Sequence, residues 1–118
     1  MSLHHKLCHV LGGAFGLPHA ETHTVILPHA VYYNAAGAAV AIGRVARALG
    51  ADDAAQALFD LAAINGAPTS LREIGMSYSD LDVAADAAVK SPYWNPRPVE
   101  RDGIRELLED AYNGRRPS

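Results

Sequence analysis

The sequence has one cysteine, one tryptophan, two phenylalanines, and no histidine after position 29. Cys8, standing alone, excludes an internal disulfide and fits a reducing compartment. Few aromatics beside abundant alanine argue against a sheet sandwich and for helices packed closely through small side chains. No apolar run approaches the length of a membrane-spanning helix. Neither sign of charge dominates: ten basic and thirteen acidic residues give a net charge of -3. The basic residues are scattered apart from Arg115 and Arg116, so nothing is laid out for nucleic acid or an anionic membrane. No charged leader with an apolar core opens the sequence. Met1-Ser2-Leu3 runs straight into helix-like sequence, which reads as the abrupt start of a fragment, and the cytoplasm is the expected location.

What is present is enough for one domain, since 118 residues can bury a core without disulfides or a structural metal. The patterning is helical throughout, and the expected fold class is all-α with about seven helices. Leu3, Leu7, Val10 and Leu11 recur at helical spacing, and Gly12-Gly13 is expected to stop that helix. Pro18 suits the first turn of a second helix, which Pro28 is expected to kink or break. Residues 35–49 carry an apolar side through Val40, Val45, Ala48 and Leu49, closed by Gly50. Asp52 is the expected cap of the next helix, whose stripe is Ala55, Leu58, Phe59 and Ala62 before Asn65-Gly66. Residues 71–74 fit a single helical turn ended by Gly75. Ser77 with Asp80, or Ser79 with Asp82, offers a capping box for the helix that closes near Ser91-Pro92. After the proline-stiffened loop PYWNPRP, Ile104, Leu107, Leu108 and Ala111 mark the buried side of a last helix. No strand-like alternation and no internal repeat occurs, so a nucleotide-binding βαβ unit is not expected.

All six histidines, His4, His5, His9, His19, His23 and His29, fall within 26 residues. His5 and His9 are four apart and share a helix face, as do His19 and His23. A histidine pair at this spacing is ordinarily a hydrogen-bonded surface feature. Two such faces brought together across the glycine turn suit either a metal, for which neutral imidazole is a common ligand, or a proton-transfer site. Cys8 reads as a small buried hydrophobe. VLGGAFG lacks the preceding strand and the GK[ST] of a phosphate-binding loop and reads as a turn. His29, after Pro28, reads as structural, as do Trp94, Asn95 and Arg97 in the rigid loop. Lys6 suits either an anionic ligand or solvent.

HHKLCHVLGG with LPHAETHTVILPH resembles the signature region of the iron-containing alcohol dehydrogenase superfamily. There a helical histidine is followed by a second four residues later and by a Pro-His pair at fourteen. His5, His9 and His19, with Pro18, occupy those positions. With LGAPTSLREIGM and SPYWNPRPVERDGIRELL added, the similarity narrows to the maleylacetate reductases and runs from about Leu3 to Pro117. The resemblance implies that residues 1–118 are the helical C-terminal domain, of the dehydroquinate synthase-like kind, and that the N-terminal dinucleotide-binding α/β domain is absent. It implies NADH- or NADPH-dependent reduction of maleylacetate to 3-oxoadipate, in aromatic-compound degradation, by a cytoplasmic homo-oligomer, commonly a dimer. The isolated chain is then expected to be inactive.

The same resemblance implies catalytic roles for His5, His9 and His19, a cofactor contact for His9, and iron or zinc ligation by His5 and His19. His4 and His23 are implied as pocket lining or supporting hydrogen-bond partners. Metal-dependent relatives draw an aspartate and a further histidine from upstream of this sequence and usually have glycine where Ala20 stands, while maleylacetate reductases work without a required metal. In that case the three histidines act as hydrogen-bond donors or as an acid toward a dicarboxylate. Two other readings stay open: a non-catalytic metal-binding or self-associating helical module, and part of a metal-dependent alcohol dehydrogenase.

Overall fold

A computed structural model of the chain describes residues 2–35, 37, 39–48, 50, 53–90, 95 and 97–117. Among them are six α-helices: α1 Ser2–Phe15, α2 His19–Asn34, α3 Ala39–Ala48, α4 Ala54–Ile64, α5 Leu81–Val89 and α6 Arg101–Asn113. A 3-10 turn, Tyr78–Asp80, leads into α5, and no strand occurs among the described residues. The all-α expectation holds and the expected count of about seven helices is corrected to six. No described helix is long and apolar enough to cross a membrane.

The glycine stop is overturned and the proline leaves its helix unbroken, for one reason. Gly12-Gly13 does not stop α1, which continues to Phe15 and ends where Gly16 turns left-handed with φ 64. Pro28 does not break α2, although it removes one backbone bond at a usual cost of about 3 kcal/mol. Tertiary burial outweighs both local penalties. Leu3, Leu7 and Leu11 of α1 are fully buried, and Val25, Ile26, Ala30 and Tyr33 flank Pro28 inside the same core. α2 is the central helix, packing on α1, α4 and α6.

On the other side α5 presents Leu81, Ala84, Ala85 and Ala88, all fully buried, to α1 and α6. Three alanines on that face let helix axes approach without bulky side chains. α6 closes the core with Ile104, Leu108 and Ala111 and ends at Gly114, φ 69. A Cβ there would lie 3.1 Å from that of Ser70, so the turn is closed against its neighbour. Leu71 N–H donates to the Ala111 carbonyl at 2.9 Å and satisfies the helix end. A smaller cluster of Val31, Ala46, Ala54 and Ala55 joins α2, α3 and α4.

The remaining end signals shift by a residue or an element. The third helix begins at Ala39, not at 35, and the Asp52 cap and Leu49 fall outside the described residues. Asp53 is the observed cap of α4, accepting from Gln56 N–H at 2.9 Å. Residues 71–75 close as hydrogen-bonded turns rather than a helix, with Ile74 N–H on the Leu71 carbonyl at 3.2 Å. The capping box sits at that turn: Ser70 Oγ donates to Glu73 Oε1 at 2.9 Å and accepts from Glu73 N–H at 3.2 Å. Ser77 makes no such side-chain cap.

His29 is the titratable group most committed to the fold. It is 3% exposed, its Nε2 has no hydrogen-bond partner, and its ring stands edge-on to Phe59 at 6.5 Å. Burial pushes its pKa down to about 4, partly opposed by the Asp110 carboxylate. An unfolded chain binds a proton at this ring near the ordinary 6.5, whereas the native chain binds it only near 4. The stabilisation is therefore full above about 6.5 and is lost as pH falls toward 4, by roughly 3 kcal/mol. Urea midpoints across that window should fall steeply in the parent and more shallowly in His29→Gln. An unchanged slope in the variant would show that the proton goes elsewhere. Separately, Asp53→Ala should cost about 1 kcal/mol in the same assay.

Candidate active site

The site is built on the hairpin of α1 and α2. Three residues, Gly16, Leu17 and Pro18, reverse the chain between the helices. Gly16 N–H donates to the Gly12 carbonyl at 3.1 Å and Leu17 N–H to that of Leu11 at 3.4 Å. Pro18 then caps α2 with extended backbone, and its carbonyl accepts from both the Thr22 N–H, at 2.9 Å, and the Thr22 hydroxyl, at 2.6 Å. Thr22 is itself buried, so the start of α2 is fixed from inside.

Helical periodicity then sorts the histidines of α1. Successive residues turn by about 100°. With Leu3, Leu7 and Leu11 pointing into the core, His4 and Cys8 fall at the core's edge, and His5 and His9 fall outside it. The observed burial follows that order: Cys8 is 5% exposed, His4 half-buried, and His5 and His9 exposed. On α2, His19 is exposed and His23 half-buried. His5, Cys8, His9, Gly12, Gly13, His19 and His23 line one open depression of about 320 Å³. A Cβ added at Gly13 would meet nothing within 4 Å, and one at Gly12 only the Leu17 carbonyl at 4.0 Å. The glycines keep the wall low without being demanded by packing.

All three histidines singled out by spacing thus face a common space. The most intimate contacts belong to residues ranked lower. His19 and His23 have ring centroids 4.2 Å apart, and His4 meets His23 edge-on at 4.9 Å. The ring Nε2–H of His4 donates to the His23 carbonyl at 3.3 Å. His4, Cys8 and His23 present ligand-type atoms that all lie within 4.8 Å of one another. The i,i+4 spacing of His4 and Cys8 was legible in the sequence. Their proximity to His23 depends on how α2 returns.

The electrostatics follow from position. Burial holds the His4 pKa below its ordinary value, helped by the neighbouring His23 ring, while the hydrogen bond to the His23 carbonyl works the other way. Partial desolvation lowers that of His23, with His19 and His5 adding like-charge opposition. Both rings are consequently neutral at neutral pH. Burial pushes the Cys8 thiol up to about 11, which makes it a poor nucleophile and agrees with its reading as a packing residue.

The residues assigned to packing make the ties that hold this hairpin. Asn95 Oδ1 accepts from Leu3 N–H at 3.2 Å, and its Nδ2 donates to Asn34 Oδ1 at 2.7 Å and the Arg97 carbonyl at 2.6 Å. Arg97 donates to the Tyr33 carbonyl at 3.1 Å and lies 4.0 Å over the Tyr33 ring. The loop therefore joins the N-terminal end of α1 to the C-terminal end of α2. Trp94 lies outside the described residues. His29 sits apart from the depression, on the opposite flank of α2 beside Phe59.

Imidazole donors suit iron or zinc, and no carboxylate lines the depression among the described residues. His5 and His19 alone supply half of a four-coordinate set. The residues present therefore fit a metal held jointly with groups facing the depression, rather than one enclosed by these helices.

The profile of the Fe-containing alcohol dehydrogenase family, C-terminal, matches residues 1–112. A maleylacetate reductase of Burkholderia cepacia is 64% identical over the whole chain, which covers 34% of that relative. The crystal structure of a maleylacetate reductase from Agrobacterium tumefaciens superposes with a TM-score of 0.95 at 50% identity, over 99% of this chain and 33% of that one. A 1,3-propanediol oxidoreductase retains the fold with a TM-score of 0.84 at 27% identity, over 93% and 32% of the two chains. The chain thus spans about a third of the length of the relatives it matches.

The burial of Cys8 makes a direct expectation. An aromatic disulfide reagent at neutral pH should leave the native thiol unmodified and titrate it fully in urea. Rapid stoichiometric reaction of the native chain would mean that the α1–α2 contact opens readily.

Proposed function

The chain belongs to the iron-containing alcohol dehydrogenase family, matching its C-terminal domain, and on that premise we propose that it is the helical, active-site-contributing part of a maleylacetate reductase. The observation that carries this reading is the depression of about 320 Å³ into which His5, His9, His19 and His23 all face. It is open on one side, as half of a cleft should be. An α/β domain holding the dinucleotide completes it, and residues 1–118 by themselves are inactive. The substrate is an unsaturated oxo-dicarboxylate, the product 3-oxoadipate, and the assembly a cytoplasmic homo-oligomer.

NADH or NADPH, when bound, would supply the hydride for the alkene carbon β to the ketone. His5 and His19 donate ring N–H hydrogen bonds to the ketone oxygen and the adjacent carboxylate, so that negative charge developing on that oxygen meets donors already in place. His9 is the residue of this group that would contact the cofactor. An imidazole of this group then delivers a proton to the α carbon, which restores the ketone and completes the reduction. His23 remains neutral and is held by His19 on one side and His4 on the other, which keeps the wall of the depression fixed. Where a metal is used, His5 and His19 are the residues that would hold it, and it would polarise the same oxygen.

Joining the chain to the dinucleotide domain of the Burkholderia relative should give maleylacetate-dependent oxidation of NADH or NADPH. The unjoined chain should give none. In the joined protein His5→Gln, His9→Gln or His19→Gln should each lower kcat by about 10²–10⁴-fold. A properly folded joined protein that ignores maleylacetate overturns the reading. Activity abolished by a chelator and restored by iron or zinc would instead assign the chain to a metal-dependent alcohol dehydrogenase.

A further inference from the structure

We propose that His4, Cys8 and His23 form a binding site for one zinc-like divalent cation, distinct from the His5 and His19 pair. The three come from two helices: His4 and Cys8 are one helical turn apart on α1, and His23 is brought beside them by the return of α2. Their ligand-type atoms all lie within 4.8 Å of one another. Tetrahedral zinc, with bonds of about 2.0–2.3 Å, needs its ligands about 3.4–3.6 Å apart. Binding would close the remaining gap by rotation of these side chains. Cys8 is buried in the core, and the rings of His4 and His23 are half-buried beside it.

The donor set selects the cation. One sulfur and two neutral imidazoles favour zinc or cobalt over magnesium, calcium or manganese, which want oxygen. On binding, the Cys8 S–H bond breaks as the sulfur–metal bond forms, the proton leaves to solvent, and both rings bind through a lone pair. Three protein ligands leave a fourth position, which faces the depression that Cys8 and His23 help to line and is filled by water. A cation here would also pin His23 and place positive charge in the wall of that depression. The inference does not rest on the reductase reading, because none of the three ligands has been given a chemical step.

Cobalt titration of the chain reads the site directly. One Co²⁺ per chain should bind with the visible bands of four-coordinate cobalt and a near-ultraviolet thiolate charge-transfer band, both erased by added zinc. Cys8→Ser should remove the charge-transfer band, and His4→Gln and His23→Gln should each weaken binding at least about tenfold. His5→Gln, at an exposed ring that makes no ring contact with any of the three among the described residues, should leave the thiolate charge-transfer band in place. Far-ultraviolet circular dichroism accompanies each variant, and His4→Gln, altering a half-buried side chain, carries the test if Cys8→Ser fails to fold. A six-coordinate cobalt spectrum, absence of stoichiometric binding, or a charge-transfer band that needs His5 overturns the proposal.

Discussion

The packing of α1 on α2 is the constraint on which the rest of the structure depends. Leu3, Leu7 and Leu11 are completely buried, and their burial fixes the rotation of α1 about its own axis. Once that rotation is set, a helix has no freedom left in where its other side chains point. His4 and Cys8 are carried to the edge of the core and His5 and His9 away from it. At roughly 1.5–3 kcal/mol for each large apolar side chain removed from water, the leucines outweigh the unfavourable glycine pair in the middle of α1.

This sorting separates two histidine populations. The exposed rings face the depression, and desolvation lowers the pKa of the half-buried ones. Proximity without burial would not do this, since exposed like charges are screened by water. Residues 95 and 97–100 then lock the arrangement from outside. Asn95 bonds to the start of α1 and the end of α2, and the Tyr33 hydroxyl donates to the Pro98 carbonyl at 2.6 Å and accepts from Glu100 N–H at 3.2 Å. A site on two helices thus acquires a third tether about ninety residues away in sequence.

The helical class, the core-facing stripes of the first and last helices and the position of the last helix were legible in the sequence, because each is a periodicity local to one segment, whereas Ala48, expected on the apolar side of the third helix, is exposed. Ile104, Leu107, Leu108 and Ala111 are buried in the structure as their spacing implied. The errors lie where a local rule met a tertiary force. Gly12-Gly13 and Pro28 are helix breakers by propensity, yet both sit in uninterrupted helices whose buried faces supply more than the breakers cost. The Ser70–Glu73 box shows the converse. An S-x-x-E pattern stands at SLRE and closes as a box, whereas at Ser77 and Asp80, where a box was expected, a 3-10 turn forms without side-chain capping.

Sequence alone determined that five of the six histidines would fall on two helices, that four of them would pair at i,i+4, and that their spacing with Pro18 would match one enzyme family. Those are properties of a chain read along its length, and a helix converts length into direction by a fixed rule. Tertiary structure decided which rings meet. The approach of His23 to His4 and Cys8, the lowered pKa of the inner pair, and the common space shared by His5, His9 and His19 all require α2 to fold back at one angle and register. That angle is set by the sum of many contacts across the core, among residues far apart in sequence, and no spacing within either helix contains it.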